Sequence, residues 1–255
     1  MQAFANVFRR EKINPAEVEG ESFHRYSRTT MKEELKKAIS LGNPHFSHFG
    51  PEANLFAELE ELFRCYGENG TGQRRHYLHN QQDVDKFAIE GLIPGDFTPW
   101  EPLPENSDIL FYQGLHGCVV AEDVDVARYV DLKLGIAPII NMEWIQKIHR
   151  DTKQRGYSEK TVINTILRRM HEYVHYLIPQ FQRTDINFQL VPTVDTSDPF
   201  FATVVPEVDE CVIVIRFREP EKFGIDFPFL LSKIDHSWMS RRNSMVVPGG
   251  KMGLA

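Results

Sequence analysis

The sequence predicts an α/β fold in which helices pack against a β-sheet. The stretch 108–117 holds a short apolar run, Ile-Leu-Phe-Tyr, and ends in glycines. Such a run is typical of a central strand that is covered on both faces and has ligands at its carboxyl end. Residues 211–217 are rich in Val and Ile, which favours a second strand. Residues 2–13 place apolar side chains at helical spacing. The 255 residues suffice for one large domain, which we expect to span the whole chain.

The remaining elements follow from apolar spacing and from breaker residues. Helical spacing predicts further helices at 31–41, 54–66, 142–156 and 159–178. Gly42, Asn43 and Pro44 stop the helix at 31–41, and glycines make 67–72 a flexible loop. Prolines and acidic residues make 87–107 an irregular crossing. Alternation and β propensity predict strands at 129–140 and 189–196, and a last strand around Val246 and Val247.

Composition excludes several classes of protein. A hydrophobic fraction of 42% and a charged fraction of 25% are ordinary for a soluble protein. The net charge of -7 argues against a protein that coats nucleic acid or an acidic membrane. Three widely spaced cysteines indicate a reducing compartment rather than a disulfide framework. No apolar run approaches the roughly 20 residues that cross a bilayer, and the N-terminus lacks the apolar core of a secretion signal. We therefore expect a cytoplasmic protein.

The stretch 18–28, Val-Glu-Gly-Glu-Ser-Phe-His-Arg-Tyr-Ser-Arg, is the first candidate site. It reads as the end of a strand followed by a turn. Gly20 lets the backbone turn sharply and lets a ligand come close. His24, Arg25 and Arg28 place donors on both sides of the turn, and guanidinium groups suit the bidentate geometry of phosphate. The stretch predicts an anionic ligand, and the alternative is a solvated, salt-bridged turn.

Two other groups of basic residues are candidate phosphate contacts. Lys147, Arg150 and Asp151 fall at i, i+3 and i+4 and so share one face of a helix. The following helix carries Arg168 and Arg169, and the two helices could close over transferring phosphates. The alternative is a pair of solvated helix faces. The second group lies in a basic and aromatic stretch: Arg74, Arg75, His76, Tyr77 and His79.

Residues His171, Glu172 and His175 match the H-E-x-x-H zinc signature. Two histidines at i and i+4 on a helix can bind zinc, but a catalytic site needs a third ligand and an open position. Apolar residues border both histidines, which favours packed helix histidines over zinc hydrolysis. The nucleotide-binding pattern G-x-x-x-x-G-K-[ST] does not occur in the chain, since Gly250 and Lys251 are followed by Met252.

Taken together, these segments resemble the bacterial type of phosphoribulokinase across nearly the whole chain. The resemblance rests on six stretches: 18–28, 45–54, 110–117, 141–156, 191–200 and 224–228. It implies a P-loop kinase-like α/β fold, with a mixed β-sheet flanked by helices, that lacks the first strand and the phosphate loop. It also implies Mg²⁺ and ATP, ribulose 5-phosphate as acceptor, a homo-oligomer, namely an octamer, and a setting in the Calvin cycle.

The resemblance also assigns site residues. It places contacts to the substrate phosphate on His24, Arg28, Tyr77 and His79, with Arg155 as a further candidate. Lys147 and Arg150 would stabilise charge on the transferring phosphoryl group, because phosphoryl transfer depends mostly on positioning and electrostatic stabilisation. Asp151 would be a carboxylate near the metal and the nucleotide. The family's NADH or AMP effector site would correspond to three arginines: Arg10, Arg216 and Arg241.

Three departures from the family pattern predict that this chain is inactive as a kinase. The family opens with a strand and a glycine-rich loop whose N–H groups anchor the triphosphate, whereas this chain begins within the next helix. Glu21 stands where the family has the aspartate that takes the proton from the acceptor hydroxyl. Gln113 stands where the family has a glutamate that helps to hold magnesium, so a negative charge is lost.

These observations leave three hypotheses. The first is a single phosphoribulokinase-like domain over residues 1–255 that is truncated at both ends. The rival is a catalytically dead sugar-phosphate-binding or assembly subunit, and the third is a zinc hydrolase. Under the first hypothesis the neighbours of the missing strand would expose backbone groups. We also expect the cations of the Glu21 turn and of the Lys147 helix to converge on one pocket.

Overall fold

A computed structural model of the chain describes residues 2–202 and 204–250, apart from the side chains of residues 2 and 3. The helices are α1 (Gln2–Glu11), α2 (Arg28–Ser40), α3 (Phe56–Asn69), α4 (Gln81–Phe87), α5 (Ile140–Lys153), α6 (Glu159–Glu172) and α7 (Phe227–Lys233). The strands are β1 (Pro15–Glu19), β2 (Gln73–Arg74), β3 (Glu101–Pro102), β4 (Ile109–Gln113), β5 (Val120–Ala121), β6 (Val124–Asp125), β7 (Leu134–Ile136), β8 (Ile186–Pro192), β9 (Cys211–Phe217), β10 (Trp238–Arg241) and β11 (Ser244–Pro248).

Residue contacts divide the chain into two units. The first unit comprises Met1–Asp131 and Arg169–Gln180, and the second comprises Leu132–Arg168 and Phe181–Ala255. None of the helices in the described residues is both long and apolar enough to cross a membrane.

The first unit is organised around β1 and β4, which pair in parallel with Glu19 opposite Gln113. Side chains alternate along a strand, so Ala16 and Val18 of β1 are buried. They join a core with four residues of α3: Phe56, Leu59, Leu62 and Phe63. The carboxyl ends of β1 and β4 therefore lie side by side, with a helix packed beneath them.

The second unit is built on a mixed five-stranded sheet in the order β10-β11-β9-β8-β7. β7 and β8 are parallel, whereas the other neighbours are antiparallel. The inward side chains of β9, Ile213, Ile215 and Phe217, pack with Met245 and Val247 of β11. Apolar residues of α7 cover this cluster. A mixed sheet flanked by helices confirms the predicted α/β class.

Most predicted elements are present, but some bounds differ. The helix predicted at 54–66 continues as α3 to Asn69, into the first half of the loop predicted at 67–72, and ends at Gly70, whose φ of +71° is left-handed. A left-handed glycine is a common helix end. The strand predicted at 129–140 is reduced to Leu134–Ile136. β4 pairs with β1 as its one strand partner within the described part of the chain, so it does not hold the central position in a sheet that its apolar run predicts.

Several short elements were not predicted, among them α4, α7 and β10. α4 begins at a capping box in which Asn80 and Asp83 satisfy each other's backbone N–H groups. α7 begins at Asp226, whose side chain accepts a hydrogen bond from the N–H group of Phe229. β10 pairs with β11, the strand predicted around Val246. Residues 251–255, which follow β11, lie outside the described residues.

Candidate functional site

The Glu21 turn is the 3₁₀ turn over Gly20–Phe23, which follows the carboxyl end of β1. A Cβ atom at Gly20 would lie 2.6 Å from the Cα atom of Gly114, which follows β4. The two backbones thus approach more closely than any larger residue allows. The backbone ladder pairs the ends of β1 and β4, and the two glycines leave room for this approach. Glu21 and Gln113 therefore stand at neighbouring strand ends, where α/β proteins bind ligands.

His24 follows the turn and is partly buried against other rings. The ring centroids of His24 and His48 are 4.5 Å apart, and those of His24 and Tyr77 are 6.3 Å apart. Burial lowers the pKa of His24 to about 4; the Glu21 carboxylate opposes this shift, and the Arg75 guanidinium adds to it. His24 is therefore neutral at pH 7 and serves as a hydrogen-bonding group rather than a cation.

The predicted phosphate contacts of the first unit form one cluster with His24. The guanidinium of Arg28 lies over the ring of Tyr77, 5.9 Å from its centroid. Its Nη2 atom donates to the carbonyl oxygen of His79 at 2.9 Å. The rings of Tyr77 and His79 meet edge to face with centroids 4.9 Å apart. Arg28 and His79 are exposed, so the cluster offers a cation and two imidazole rings to an anion.

The second unit holds a separate charged cluster on α5 and the loop after it. The Asp151 carboxylate is 5% exposed and accepts hydrogen bonds from Lys147 Nζ at 2.6 Å and Arg150 Nε at 3.1 Å. Arg155 Nη1 donates to it at 3.0 Å. Burial raises the pKa of Asp151, but the hydrogen bonds from Lys147 and Arg150 outweigh that effect and lower it overall. The shared face predicted for Lys147, Arg150 and Asp151 is confirmed.

Comparison with known proteins identifies the family. The sequence model of the Phosphoribulokinase / Uridine kinase family matches residues 1–197. The chain belongs to this family. It is 56% identical over 254 residues to the phosphoribulokinase of Nitrobacter vulgaris, covering 100% of this chain and 86% of that protein. It is also 56% identical to the chromosomal phosphoribulokinase of Cupriavidus necator, covering 100% of this chain and 85% of that protein.

A solved structure gives the same result for the fold. The phosphoribulokinase from Rhodobacter spheroides matches with a TM-score of 0.89 and 52% sequence identity. The match covers 99% of this chain and 87% of that chain. The phosphoribulokinase fold that the sequence resemblance implied is therefore confirmed.

Membership of the phosphoribulokinase family implies the use of ATP and Mg²⁺ in general. Gln113 is exposed at the end of β4, and its amide oxygen is a hard donor that suits Mg²⁺. Asp151 fits less well, because its oxygens already accept hydrogen bonds from three cations. Across residues 2–202 and 204–250, no group of three or more His, Cys, Asp or Glu side chains is arranged to hold a metal ion.

The three arginines assigned to the effector site lie in different places. Arg10 is exposed on α1, and its Nε atom donates to Glu11 at 2.7 Å. Arg216 lies on β9 and its Nη2 atom donates to the carbonyl oxygen of Phe181 at 3.1 Å. Arg241 is exposed at the end of β10. Ser244 of β11 is paired with both Arg216 and Arg241, so these two share one end of the five-stranded sheet.

The two histidines of the H-E-x-x-H pattern are exposed rather than packed in the core as predicted, whereas Glu172 is buried. The ring of His171 stacks on His175, with centroids 4.2 Å apart, and on His45, with centroids 4.5 Å apart. Glu172 is buried and accepts a hydrogen bond from Ser47 Oγ at 2.5 Å. α6 passes into a π-helical turn over Tyr173–Leu177. A Glu172 carboxylate buried against Ser47 is poorly placed to act as the general base of a zinc hydrolase.

Two residues near the cluster received no separate role from the sequence. His48 lies in the stretch 45–54 that carries the family resemblance, and its ring contacts His24. Arg75 lies in the basic and aromatic stretch, but its guanidinium faces protein carbonyls rather than solvent. Only the fold shows these contacts, because their partners are distant in the sequence.

Proposed function

We propose that this chain is a phosphoribulokinase, which transfers the γ-phosphoryl group of ATP to the 1-hydroxyl of ribulose 5-phosphate and yields ribulose 1,5-bisphosphate. One observation carries the proposal: His24, Arg28, Tyr77 and His79 form a single cluster beside the Glu21 turn. A phosphorylated sugar suits this cluster, because its phosphate needs donors and a cation while its hydroxyl must reach a carboxylate.

In this proposal each residue of the first unit has a distinct role. Arg28 neutralises part of the phosphate charge of the sugar, and its backbone-anchored guanidinium pays little entropy on binding. The rings of His24, Tyr77 and His79 donate hydrogen bonds to the phosphate oxygens. Glu21 accepts the proton of the 1-hydroxyl as the hydroxyl oxygen attacks the γ-phosphorus. The bond to the bridging oxygen breaks, and ADP leaves with the electron pair.

The residues of α5 act on the charge that moves during transfer. Lys147 and Arg150 stabilise the transferring phosphoryl group, and Arg155 binds substrate phosphate. Asp151 holds these three cations in place through the hydrogen bonds described above. The amide oxygen of Gln113 would help to hold Mg²⁺, whose chemistry there would be neutralisation of phosphate charge. That the Glu21 turn and α5 act on one substrate stays a prediction.

The inactivity that the sequence predicts stays a prediction, and it corresponds to a second candidate, a sugar-phosphate-binding or assembly subunit without catalysis. It is favoured by Gln113, which offers Mg²⁺ no charge, and by Asp151, whose oxygens are engaged with cations. Glu21 also favours a subunit without catalysis, because its side chain is longer than that of the aspartate that the family has at this position. The first unit would then keep the cluster around His24 and lose the transfer step.

One pair of measurements on the purified chain separates these functions. Calorimetry measures binding of ribulose 5-phosphate, and mass spectrometry measures ribulose 1,5-bisphosphate formed with magnesium ATP. Binding together with transfer supports the kinase, whereas binding without transfer supports the subunit. Absence of ribulose 5-phosphate binding contradicts both.

A variant shows whether binding occurs at the proposed cluster. Arg28→Ala removes the cation over Tyr77, and we expect ribulose 5-phosphate to bind roughly tenfold more weakly or worse. Arg9→Ala is the control, because Arg9 is an exposed arginine that contacts Asn6. Equal affinities in both variants would place the sugar phosphate elsewhere.

A further inference from the structure

The guanidinium group of Arg75 is committed to the Glu21 turn. Its Nε atom donates to the carbonyl oxygen of Ser22 at 2.8 Å, and its Nη2 atom donates to the carbonyl oxygen of His24 at 2.6 Å. In return, Ser22 Oγ donates to the carbonyl oxygen of Arg75 at 2.5 Å. Arg75 therefore donates two hydrogen bonds to the turn through its side chain, and its backbone carbonyl accepts a third.

These bonds complete the backbone of the turn. The carbonyl oxygen of Glu21 accepts from the N–H group of His24 at 3.1 Å, and that of Phe23 accepts from the N–H group of Leu55 at 2.8 Å. Ser22 and Phe23 are buried, and a buried carbonyl without a partner is costly. The carbonyl groups of Ser22 and His24 have Arg75 as their partner. Without Arg75, the carbonyl groups of Ser22 and His24 would lose these hydrogen bonds.

Aromatic rings hold the guanidinium in the orientation that these bonds require. The Arg75 Cζ atom lies 3.8 Å from the ring centroid of Phe97 and 4.7 Å from that of Trp100. Trp100 also meets Phe23 of the turn edge to face, with centroids 5.5 Å apart. A planar guanidinium can stack on rings and donate two hydrogen bonds in its plane, whereas an ammonium group cannot do both.

We propose that Arg75 is a positioning residue, which fixes the turn that presents Glu21 and His24 to the sugar phosphate. The identity of the sugar phosphate rests on the proposed function, whereas the role of Arg75 in fixing the turn rests on its hydrogen bonds alone. Arg75 touches neither the reacting atoms nor the phosphate in this role, because its donors face protein carbonyls. It acts through the backbone of Ser22 and His24.

Two variants separate the effect of the paired guanidinium donors of Arg75 from the effect of its positive charge. Arg75→Lys keeps a cation beside Phe97 and Trp100 but lacks the two-pronged donor, whereas Arg75→Gln removes the charge as well. We expect both variants to bind ribulose 5-phosphate roughly tenfold more weakly than the wild type, as measured by calorimetry. Arg64→Lys is the control, because Arg64 lies on α3 and its guanidinium also donates several hydrogen bonds, in this case to the carboxylates of Glu61 and Glu68.

A second readout does not depend on the substrate. The imidazole of His24, assigned in the NMR spectrum with a His24→Gln variant, reports on the turn through its chemical shifts and its titration. We expect its resonances to shift in both Arg75 variants. In Arg75→Gln we also expect the pKa to rise above about 4, since a neighbouring positive charge is lost. Arg64→Lys should leave these signals in place.

The outcomes divide cleanly. If the folded Arg75→Lys protein keeps both the wild-type affinity and the His24 signals, Arg75 does not position the turn. If the wild type binds no ribulose 5-phosphate but the His24 signals still move, the positioning role stands and the proposed function fails. Should Arg75→Gln not fold, Trp100→Leu keeps the arginine and removes one flanking ring, and it should shift the same signals to a smaller extent.

Discussion

Glu21 stands on the turn after β1, so the length of its side chain decides how far its carboxylate reaches. In the proposed reaction that carboxylate takes a proton from a hydroxyl, and such transfers need heavy atoms within hydrogen-bond reach. A displacement of about 1 Å can cost roughly 100-fold in rate. We therefore expect Glu21→Asp to raise ATP-dependent phosphorylation of ribulose 5-phosphate by up to roughly 100-fold.

Glu21→Gln is the matched control for this prediction, because it keeps the length of the side chain and removes the base. Initial rates of ribulose 1,5-bisphosphate formation should rank the aspartate variant first and the glutamine variant last. A glutamine variant as fast as the wild type would remove Glu21 from the role of general base.

His116 makes a prediction about stability and pH. It is 3% exposed, its ring packs on Phe56 with centroids 5.0 Å apart, and burial lowers its pKa to about 3. The unfolded chain, with a pKa near 6.5 for histidine, therefore binds more protons between pH 6.5 and 3. Stability should fall as the pH falls through this window, by about 2 kcal/mol from pH 6.5 to 5 for this residue.

Urea unfolding at pH 7 and pH 5 measures this effect. Replacement of His116 by Gln should reduce the loss of stability at pH 5, whereas replacement of the exposed His236 by Gln should not. An unchanged pH dependence in the His116 variant would show that His116 is not buried in its neutral form.

For single residues, the sequence predicted the chemistry better than the contacts. The donors on both sides of the turn predicted an anion site, and His24 and Arg28 do lie together with Tyr77 and His79. The role of Arg75 was not predictable, because Ser22 and Arg75 are 53 positions apart. Only the pairing of distant segments shows that its guanidinium faces carbonyls rather than solvent.

Elements were predictable where a periodic pattern is long. Apolar spacing found α2, α3 and α5, and β-branched residues found β9 with its observed bounds. The short helices α4 and α7 escaped because their starts depend on caps, Asn80 and Asp226, rather than on an apolar face. The single strand partner of β4 was also not predictable, since an apolar run does not reveal how many neighbours a strand has.

The cation cluster of α5 predicts how that helix responds to loss of its central charge. Asp151 is buried and binds Lys147, Arg150 and Arg155. Asp151→Asn keeps the shape but removes the buried negative charge that the half-buried ammonium group of Lys147 contacts at 2.6 Å. We expect the free energy of unfolding to fall by about 2 kcal/mol, because hydrogen bonds between charged groups are lost while the partly exposed cations stay in reach of water. Urea unfolding measures this, with the exposed Asp195→Asn as control.

The same variant tests whether Asp151 positions cations or binds metal. If it positions cations, the affinity of folded Asp151→Asn protein for Mg²⁺ should equal that of the wild type, as measured by calorimetry with MgCl₂. A loss of Mg²⁺ binding with unchanged stability would instead assign Asp151 to the metal.

The whole molecule is described as two units, and each carries part of the predicted site. The first holds the Glu21 turn with His24, Arg28, Tyr77 and His79, and the second holds α5 with Asp151 and its cations. The sequence predicted both clusters separately because each lies within one short stretch. The sequence also predicted a single domain over residues 1–255, and this single domain stays a prediction.

Assembly and regulation are the last predictions from the family resemblance. We propose a homo-octamer, whose mass by light scattering should be about eight times the 29.6 kDa of the chain. We also propose that NADH or AMP binds beside Arg216 and Arg241, which share one end of the five-stranded sheet. Arginine side chains suit the phosphate groups of either effector.

Arg241→Ala should weaken NADH binding roughly tenfold, measured by the fluorescence of the dinucleotide, because it removes one charge-assisted contact from the effector phosphates. Arg242→Ala removes an exposed arginine at the next position and serves as the control. Arg10→Ala tests whether α1 contributes to the same site. An octamer whose NADH affinity is unchanged by Arg241→Ala and by Arg216→Ala would exclude that end of the sheet as the effector site.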